Sequence, residues 1–266
     1  MGPMRWLLAC WVSFFALGSA RAQEPGPAPP AQEPGPAPPA QEPAAAPPAR
    51  EEAPQEPPSP QVTRFLEEWA ARTRGLRALR VEFTQTKKLR LLRRPLVSHG
   101  VTLLQGPRLR MDVRDAEGAL ELVLQVIPAA EPAEPGAQAA SGGEVRLYHP
   151  RLKRQEVYPL PAGAAPPESP FLVFGDDVRE LPARYRVELQ GEGERRALVL
   201  TPRGESQVAH MRLEFQAGQL IAVEQADRRG GTVRMEITRW EPNPELPPGS
   251  LDLELPAGTE VVQGSR

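Results

Sequence analysis

The sequence predicts a mainly β domain, an antiparallel meander of about eleven strands that is curled into a barrel or a strongly bent sheet and preceded by one helix. Three observations predict it. Apolar and polar side chains alternate through most of the chain after residue 78, glycine-rich turns separate the alternating runs, and the stripe before them has the helical period instead. The 206 residues 61–266 are enough for one such domain.

The helix comes first. Ser59 supplies a capping hydroxyl and Pro60 suits the first helical position. Four apolar residues then fall at i, i+3, i+4 and i+7, which places them on one face. They are Val62, Phe65, Leu66 and Trp69. The helix is expected to end near Gly75.

The strands follow as runs with a period of two. Short connections such as 115–118, 191–193, 217–218 and 230–231 have the residues that hairpin turns favour, so neighbouring runs are expected to pair antiparallel. The predicted runs contain Leu79/Val81/Phe83, Leu109/Met111/Val113, Leu120/Leu122/Leu124/Val126, Val145/Leu147, Val187/Leu189, Leu198/Leu200, Met211/Leu213/Phe215, Ile221/Val223, Val233/Met235/Ile237 and Leu251/Leu253/Leu255.

Two segments interrupt the meander. Residues 128–143 are rich in Ala, Pro, Glu and Gly and are interpreted as a disordered insertion in a hairpin. Residues 164–182 contain the apolar run 170–174 followed by Asp176 and Asp177. An apolar loop beside a sheet is either part of the core or a lid over a cavity, and both interpretations stay open on the residues alone.

The first 22 residues have the pattern of a secretory signal peptide. Arg5 precedes an apolar stretch of about 11 residues, which is short for a membrane-spanning helix, and Ala20 and Ala22 are the small residues of a cleavage site before Gln23. Residues 7–10 read LLAC, an alternative lipidation signal at Cys10. The mature chain is expected to begin at Gln23 and therefore to contain no cysteine.

Residues 23–60 form a proline-rich linker. They hold 15 of the 34 prolines and carry six acidic residues against one arginine. The repeat AQEPGPAPP starts at Ala22, recurs unchanged at 31–39 and recurs as AQEPAAAPP at 40–48. So few apolar side chains cannot support a core, and a solvated, disordered, extended chain is predicted.

Composition and motifs disfavour nucleic-acid binding and catalysis. Residues 61–266 hold 29 basic and 28 acidic side chains, without the basic excess of a nucleic-acid binder. No nucleotide or nucleophile motif occurs, and His99, His149 and His210 are isolated in sequence. No catalytic residue, metal ligand or cofactor is assigned. The basic run 87–94 is either a solvated strand edge or a contact for an acidic protein or anionic lipid headgroups.

Six short blocks resemble the LolA family, periplasmic carriers of outer-membrane lipoproteins. They occur in the family's order and together cover residues 62–262, nearly all of the predicted domain. They are VEFTQT at 81–86, GGEVRLYHP at 142–150, SPFL at 169–172, LVLTP at 198–202, AVEQAD at 222–227 and LPAGTEV at 255–261.

The resemblance implies a half-open, incomplete antiparallel β-barrel with a short helical lid. It implies a periplasmic, non-enzymatic chaperone that carries lipoproteins from the inner to the outer membrane with their acyl chains in an apolar cavity. The implied partners are acylated lipoproteins, an inner-membrane ABC transporter that releases them and an outer-membrane receptor. The protein is expected to be a monomer.

Alternation identifies which side chains share the concave face of such a sheet. The candidate ligand-binding residues are Leu109, Met111, Leu122, Leu124, Val145, Leu147, Leu213, Phe215 and Val223. The candidate lid residues are Phe171, Leu172 and Phe174. Each one alone is equally compatible with ordinary core packing.

One position departs from the family pattern. The family has an arginine before the third strand that ties the lid closed, and Gly106 stands in its place within Gln105-Gly106-Pro107. Arg108 and Arg110 are close in sequence, but alternation would have to shift for either to replace it. The family's latch is therefore not expected to operate in the same way.

Three alternatives remain. A membrane-anchored acceptor similar to LolB requires lipidation of Cys10. A lipid-sensing regulator similar to RseB combines a comparable domain with a second one that residues 61–266 do not supply. An enzyme acting on envelope lipids or glycans requires a pair of close, oriented carboxylates in a cleft.

Overall fold

The computed structural model describes residues 57–128, 143–160 and 178–264, which form one large sheet with few helices. The signal peptide, nearly all of the linker, most of the insertion and the three lid residues lie outside these ranges. The helices are α1 (Pro60–Thr73) and α2 (Leu181–Arg184). The strands are β1 (Ala78–Lys88), β2 (Leu96–Gln105), β3 (Arg108–Arg114), β4 (Leu120–Pro128), β5 (Gly143–His149), β6 (Arg154–Leu160), β7 (Tyr185–Gln190), β8 (Arg195–Pro202), β9 (Val208–Gln216), β10 (Gln219–Asp227), β11 (Thr232–Pro242) and β12 (Glu260–Gln263).

The twelve strands make an open sheet that does not close into a barrel. Their order is β12-β6-β5-β4-β3-β2-β1-β11-β10-β9-β8-β7, so β12 and β7 are the two edges. Every neighbouring pair is antiparallel except β12 and β6, which run parallel. The prediction of a mainly β, half-open sheet is confirmed, with twelve strands in the described residues against about eleven expected. Strands β2, β6 and β12 are not among the predicted runs.

Helix α1 begins and ends where its sequence predicts. The Ser59 hydroxyl accepts a hydrogen bond from the Val62 amide at 3.3 Å, which satisfies one of the amides that the first helical turn leaves free. The helix ends at Thr73, two residues before Gly75. Its four predicted apolar residues are all buried. No helix in the described ranges has the length and apolar character needed to span a membrane.

The predicted hairpin turns are present. Between β3 and β4, one carboxylate oxygen of Asp115 accepts hydrogen bonds from the amides of Glu117 and Ala119, and Gly118 has φ = +87°. The β9–β10 connection places Ala217 and Gly218 in the left-handed region, as a two-residue hairpin turn requires. These turns fix the register of the long strands on either side of them.

The prediction of a strand at Leu251, Leu253 and Leu255 is wrong. Residues 243–259 leave β11 and contain no strand, because four prolines, at 244, 247, 248 and 256, remove the amide donors that a ladder needs. Leu251 is buried, and its carbonyl accepts a hydrogen bond from the Gln125 side chain at 2.6 Å. We call residues 243–259 the strap.

The strands at both ends of the predicted insertion extend slightly into it. β4 runs to Pro128 and β5 begins at Gly143, and these two residues are register partners. Residues 129–142, which connect β4 to β5 and include most of the predicted disordered insertion, lie outside the described ranges.

Candidate functional site

The inner face of the sheet has two apolar clusters. The first, which we call the strand cluster, is built from β1–β6 and β11 and contains side chains of strands only within the described ranges. The second, the helix cluster, combines α1 with the strands β7–β10 and the segment 178–181. Ile237 of β11 packs against both clusters. The inner face is thus continuous, but helix α1 covers one half of it.

Six of the nine candidate ligand-binding residues lie in the strand cluster. All nine are buried, with exposed fractions between 0% and 8%. The six are Leu109, Met111, Leu122, Leu124, Val145 and Leu147. They come from the three neighbouring strands β3, β4 and β5, in which Met111, Leu124 and Leu147 are consecutive register partners. These side chains therefore lie together on one wall of the sheet, as the alternation predicted. Their contact with a ligand stays a prediction.

The other three candidates pack against helix α1. The Phe215 ring meets those of Phe65 and Trp69 edge to face, with centroid distances of 5.0 and 4.9 Å. Leu213 and Val223 belong to the same cluster. Edge-to-face pairs contribute about 0.5–1.5 kcal/mol beyond area burial, so α1 is firmly held at this position. These three residues have a structural role that is independent of any ligand.

The inner face also contains polar side chains that the sequence analysis did not select. Gln85 and Gln225 follow the apolar residues Phe83 and Val223 with the same two-residue period, and both are buried. The Ser98 hydroxyl donates to the Gln85 side-chain oxygen at 3.3 Å. No hydrogen bond reaches the side-chain oxygen of Gln225 from within the described part of the chain. Only their position in the two-residue alternation of the strand could have identified them as inner-face side chains.

A glycine makes room for an aromatic ring in the strand cluster. Gly100 of β2 is the register partner of Phe83, whose ring lies directly over it. A Cβ atom at position 100 would be 2.2 Å from Cζ of Phe83, well inside van der Waals contact. This close approach requires glycine, and it lets a large side chain lie flat against the sheet.

Gly106 occupies the β2–β3 turn with φ = +54°, a conformation that side chains other than glycine adopt at a cost. Arg108 and Arg110 follow it on β3, in the opposite phase to the buried Leu109 and Met111. They therefore face outward and hold the strap: Arg108 pairs with Asp252, and Arg110 donates to the carbonyls of Ser250 and Asp252. Both arginines thus keep the alternation that the sequence predicts for this strand, and the altered latch stays a prediction.

Titratable side chains form no metal site within the described residues, where no group of three His, Cys, Asp or Glu side chains is close enough to hold a metal ion. His99 shares a hydrogen bond with the hydroxyl of Thr84 at 3.2 Å. Burial lowers the pKa of His149, which favours its neutral form. The arrangement on the inner face is one of apolar packing with a few buried amides and hydroxyls.

Comparisons with known proteins add a sequence relationship. No family model matches the chain. The chain is 29% identical to an outer-membrane lipoprotein carrier protein of Dechloromonas aromatica over 192 residues, 71% of this chain and 83% of the relative.

Solved structures show more distant similarity. An uncharacterized conserved protein from Thermus thermophilus has a TM-score of 0.45 at 12% identity and covers 77% of this chain, with all of its own chain matched. An outer-membrane lipoprotein-sorting protein domain from Vibrio parahaemolyticus has a TM-score of 0.39 at 12% identity over 71% of this chain and 95% of its own. A LolA superfamily protein from Nitrosomonas europaea has a TM-score of 0.28 at 11% identity over 69% of this chain and 94% of its own.

The likeness to LolA proteins rests on sequence and fold together. The match to the Dechloromonas protein extends over most of both chains, and the twelve strands form the open sheet that the resemblance implied. Five of the six collinear blocks lie in the described strands or beside them, and the block at 169–172 lies outside the described residues. The chain is a LolA-like protein.

Proposed function

We propose that this protein is a periplasmic chaperone that binds the acyl chains of lipoproteins against the strand cluster and carries them from the inner to the outer membrane. The observation that supports it most is the construction of that cluster, a wide apolar wall to which no helix of the described ranges contributes a side chain. The name of the Dechloromonas relative supports the same class of cargo.

The physical reason for a carrier lies in the cargo. Each methylene group removed from water contributes about 0.8 kcal/mol, so a protein with several acyl chains cannot cross an aqueous compartment unaided. A concave face of Leu, Val and Met side chains replaces water around those chains without specific polar contacts. Release then requires that the empty carrier be nearly as stable as the loaded one. We assign to the lid residues Phe171, Leu172 and Phe174 the role of closing over the empty face in competition with the cargo.

The rest of the chain fits this scheme as part of the same proposal. Residues 1–22 direct export and are removed, residues 23–60 are an acidic tether, and residues 61–266 are the lipid-binding domain. The partners are an inner-membrane ABC transporter that loads the protein and an outer-membrane receptor that unloads it. The carrier acts as a monomer and has no enzymatic activity.

Site-specific photo-crosslinking tests where the acyl chains bind. A photoreactive phenylalanine analogue is placed at Leu124 in the strand cluster, at Leu213 in the helix cluster, or at Arg146 on the outer face of β5. The full-length protein, processed by the expressing cell, is irradiated with a synthetic triacylated lipopeptide. We expect crosslinks at position 124 and few or none at positions 213 and 146.

A fluorescence assay measures binding without a substitution. An apolar fluorophore bound by the wild-type protein is expected to be displaced by the lipopeptide and not by the same peptide without its acyl chains. Absence of displacement together with absence of a crosslink at position 124 would overturn the proposal. Equal crosslinking at positions 124 and 213 would instead move the acyl site beneath helix α1.

Mass spectrometry of the mature N-terminus separates the carrier from the anchored acceptor. A chain that begins at Gln23 has lost Cys10 and cannot be anchored through it. A chain that begins at a lipidated Cys10 would contradict the carrier and favour the acceptor.

A further inference from the structure

The β1–β2 hairpin ends in an unusually apolar and basic tip. We define the tip as residues 88–97, the end of β1, the connecting loop and the start of β2. Six large hydrophobic side chains are exposed within the described part of the protein, and four of them lie here. They are Leu91, Leu92, Leu96 and Val97, with exposed fractions of 95%, 43%, 48% and 43%. A loop needs no leucine to turn, so these side chains require another explanation.

Four cations surround the exposed leucines. Lys88, Arg90, Arg93 and Arg94 are all exposed, and no ion pair within the described ranges involves them. The sequence contains no aspartate or glutamate between Glu82 and Asp112. The positive charge of the tip is therefore not neutralised by its own strands.

The neighbouring turns differ in charge. Lys88 is the register partner of Thr232 in β11, which places the β10–β11 turn, with exposed Arg228 and Arg229, beside the tip. On the other side the β3–β4 turn carries Asp115 and Glu117. Asp115 already binds the amides of its own turn and pairs with Arg151. The positive region thus extends from the tip toward β10–β11.

We propose that this tip binds the surface of an anionic lipid bilayer, with Leu91 and Leu92 inserted at the level of the acyl chains and the surrounding cations paired with lipid phosphates. Exposed apolar side chains bordered by lysine and arginine are the pattern of interfacial membrane segments. A solvated strand edge accounts for the cations but leaves the leucines in water at a cost.

Sedimentation with lipid vesicles tests the proposal. The full-length processed protein is mixed with phosphatidylethanolamine vesicles that contain increasing fractions of phosphatidylglycerol, and with neutral phosphatidylcholine vesicles. We expect binding that rises with the anionic fraction and falls with added salt. The double variant L91S/L92S is expected to bind about tenfold more weakly, because the apolar contribution is lost. The double variant R93Q/R94Q removes two of the four cations of the tip and is expected to reduce the salt dependence by about half.

Matched variants elsewhere control for nonspecific effects. Leu152 is exposed in the turn after β5, and Arg195 is exposed at the start of β8. Leu152→Ser and Arg195→Gln change the same residue types outside the tip. Leu152 follows β5, three strands from β2 in the sheet, and Arg195 lies at the opposite end of the sheet. Both variants are expected to bind vesicles like the wild type. Equal loss in these controls would overturn the assignment to the tip.

A spectroscopic measurement locates the inserted residue. Leu91→Trp is expected to show a blue shift of its emission and quenching by brominated lipids when anionic vesicles are added. An unchanged spectrum together with no vesicle binding at low salt overturns the proposal and leaves an acidic protein as the partner to seek. The readouts use no acylated cargo, so they are independent of the crosslinking at Leu124.

Discussion

At the scale of single residues, Gly100 limits what the strand cluster accepts. Gly100→Ala places a methyl group 2.2 Å from the ring carbon Cζ of the buried Phe83, so the ring or the strand has to move. Overpacking of this kind typically costs about 1–3 kcal/mol, and we expect a loss of that size in the free energy of unfolding measured with urea.

Gly75→Ala is the matched control, because nothing lies within 4 Å of a Cβ atom at position 75. Its free energy of unfolding is expected to stay within about 0.5 kcal/mol of the wild type. If both variants lost equal stability, the contact between position 100 and Phe83 would not be the cause.

Glu214 on the outer face makes the stability depend on pH. Both of its carboxylate oxygens accept hydrogen bonds from Arg234 at 3.0 Å, and these bonds lower the pKa of Glu214 below its ordinary value of 4.5. Because the pKa of Glu214 is lower in the folded state, its ionised carboxylate stabilises the protein at pH values above the ordinary pKa of 4.5. This contribution disappears as the pH falls through the pKa of the folded state. The Glu214 side chain is 25% exposed, so the contribution is on the order of 1–2 kcal/mol.

Glu214→Gln tests this pH dependence. The variant is expected to be less stable than the wild type at pH 7, and the difference is expected to shrink as the pH falls below about 4. Glu188→Gln removes an exposed pair with Arg186 and is expected to change stability by less than about 0.5 kcal/mol. A difference for Glu214→Gln that stays constant down to acidic pH would contradict the assigned cause.

The residues that the sequence analysis selected and those it missed share one physical pattern. Alternation correctly placed Met111, Leu124 and Leu147 on one buried wall, because the side-chain period of a strand is two. The same period continues to Gln85 and Gln225, but a selection based on apolar character passes over buried amides. Whether a buried face is a binding surface or core depends on what lies against it, and strand phase contains no information on that.

At the scale of elements, Asn243 joins the end of β11 to the start of β1. Its side-chain oxygen accepts hydrogen bonds from the amides of Arg77 and Ala78 at 2.7 and 3.2 Å, and its side-chain nitrogen donates to the Gly75 carbonyl at 3.0 Å. Its φ of +50° lies in the left-handed region, which asparagine tolerates better than most residues. One side chain thus connects the α1–β1 loop to the strap.

Two substitutions separate the roles of Asn243. Asn243→Gly keeps the left-handed backbone but loses the side-chain hydrogen bonds, and it is expected to cost about 1–3 kcal/mol. Asn243→Ala loses the side-chain hydrogen bonds and also makes the left-handed backbone unfavourable, so it is expected to cost about 1 kcal/mol more than Asn243→Gly. Thermal unfolding of the two variants measures the difference; an alanine variant as stable as the glycine variant would show that the backbone conformation contributes nothing.

The elements that could be predicted were those whose signals are local. The cap of α1 and the turn at Asp115 satisfy backbone groups within a few residues, so their sequences determine them. Strand β2 has no such signal, since three of its four buried positions, Ser98, Gly100 and Thr102, are small or polar. The strap shows the opposite error. Leu251, Leu253 and Leu255 alternate, yet the prolines around them prevent pairing, and long-range bonds from Arg108, Arg110 and Gln125 hold the segment instead.

At the scale of the whole molecule, the sheet consists of two halves that meet where β1 pairs with β11. Helix α1 covers the half built from β7–β10, and the other half is the strand cluster. The division explains why one set of candidate residues packs against helix α1 and the other does not. It follows from the order of the strands, which pairs the start of the domain with its end and which alternation alone does not specify.

The same organisation predicts how the domain behaves without the linker. The described structure begins at Pro57, and residues 57–59 lie beside Val62 and β7, so a chain that retains residues 57–266 keeps every described contact. Because the proline-rich composition of residues 23–56 gives them no core of their own, their deletion is expected to change the melting temperature by less than about 2 °C. Lipopeptide displacement of the fluorophore is expected to be unchanged as well. A melting temperature that falls by several degrees would show that the linker packs on the domain, and weaker lipopeptide binding at an unchanged melting temperature would show that it belongs to the acyl site.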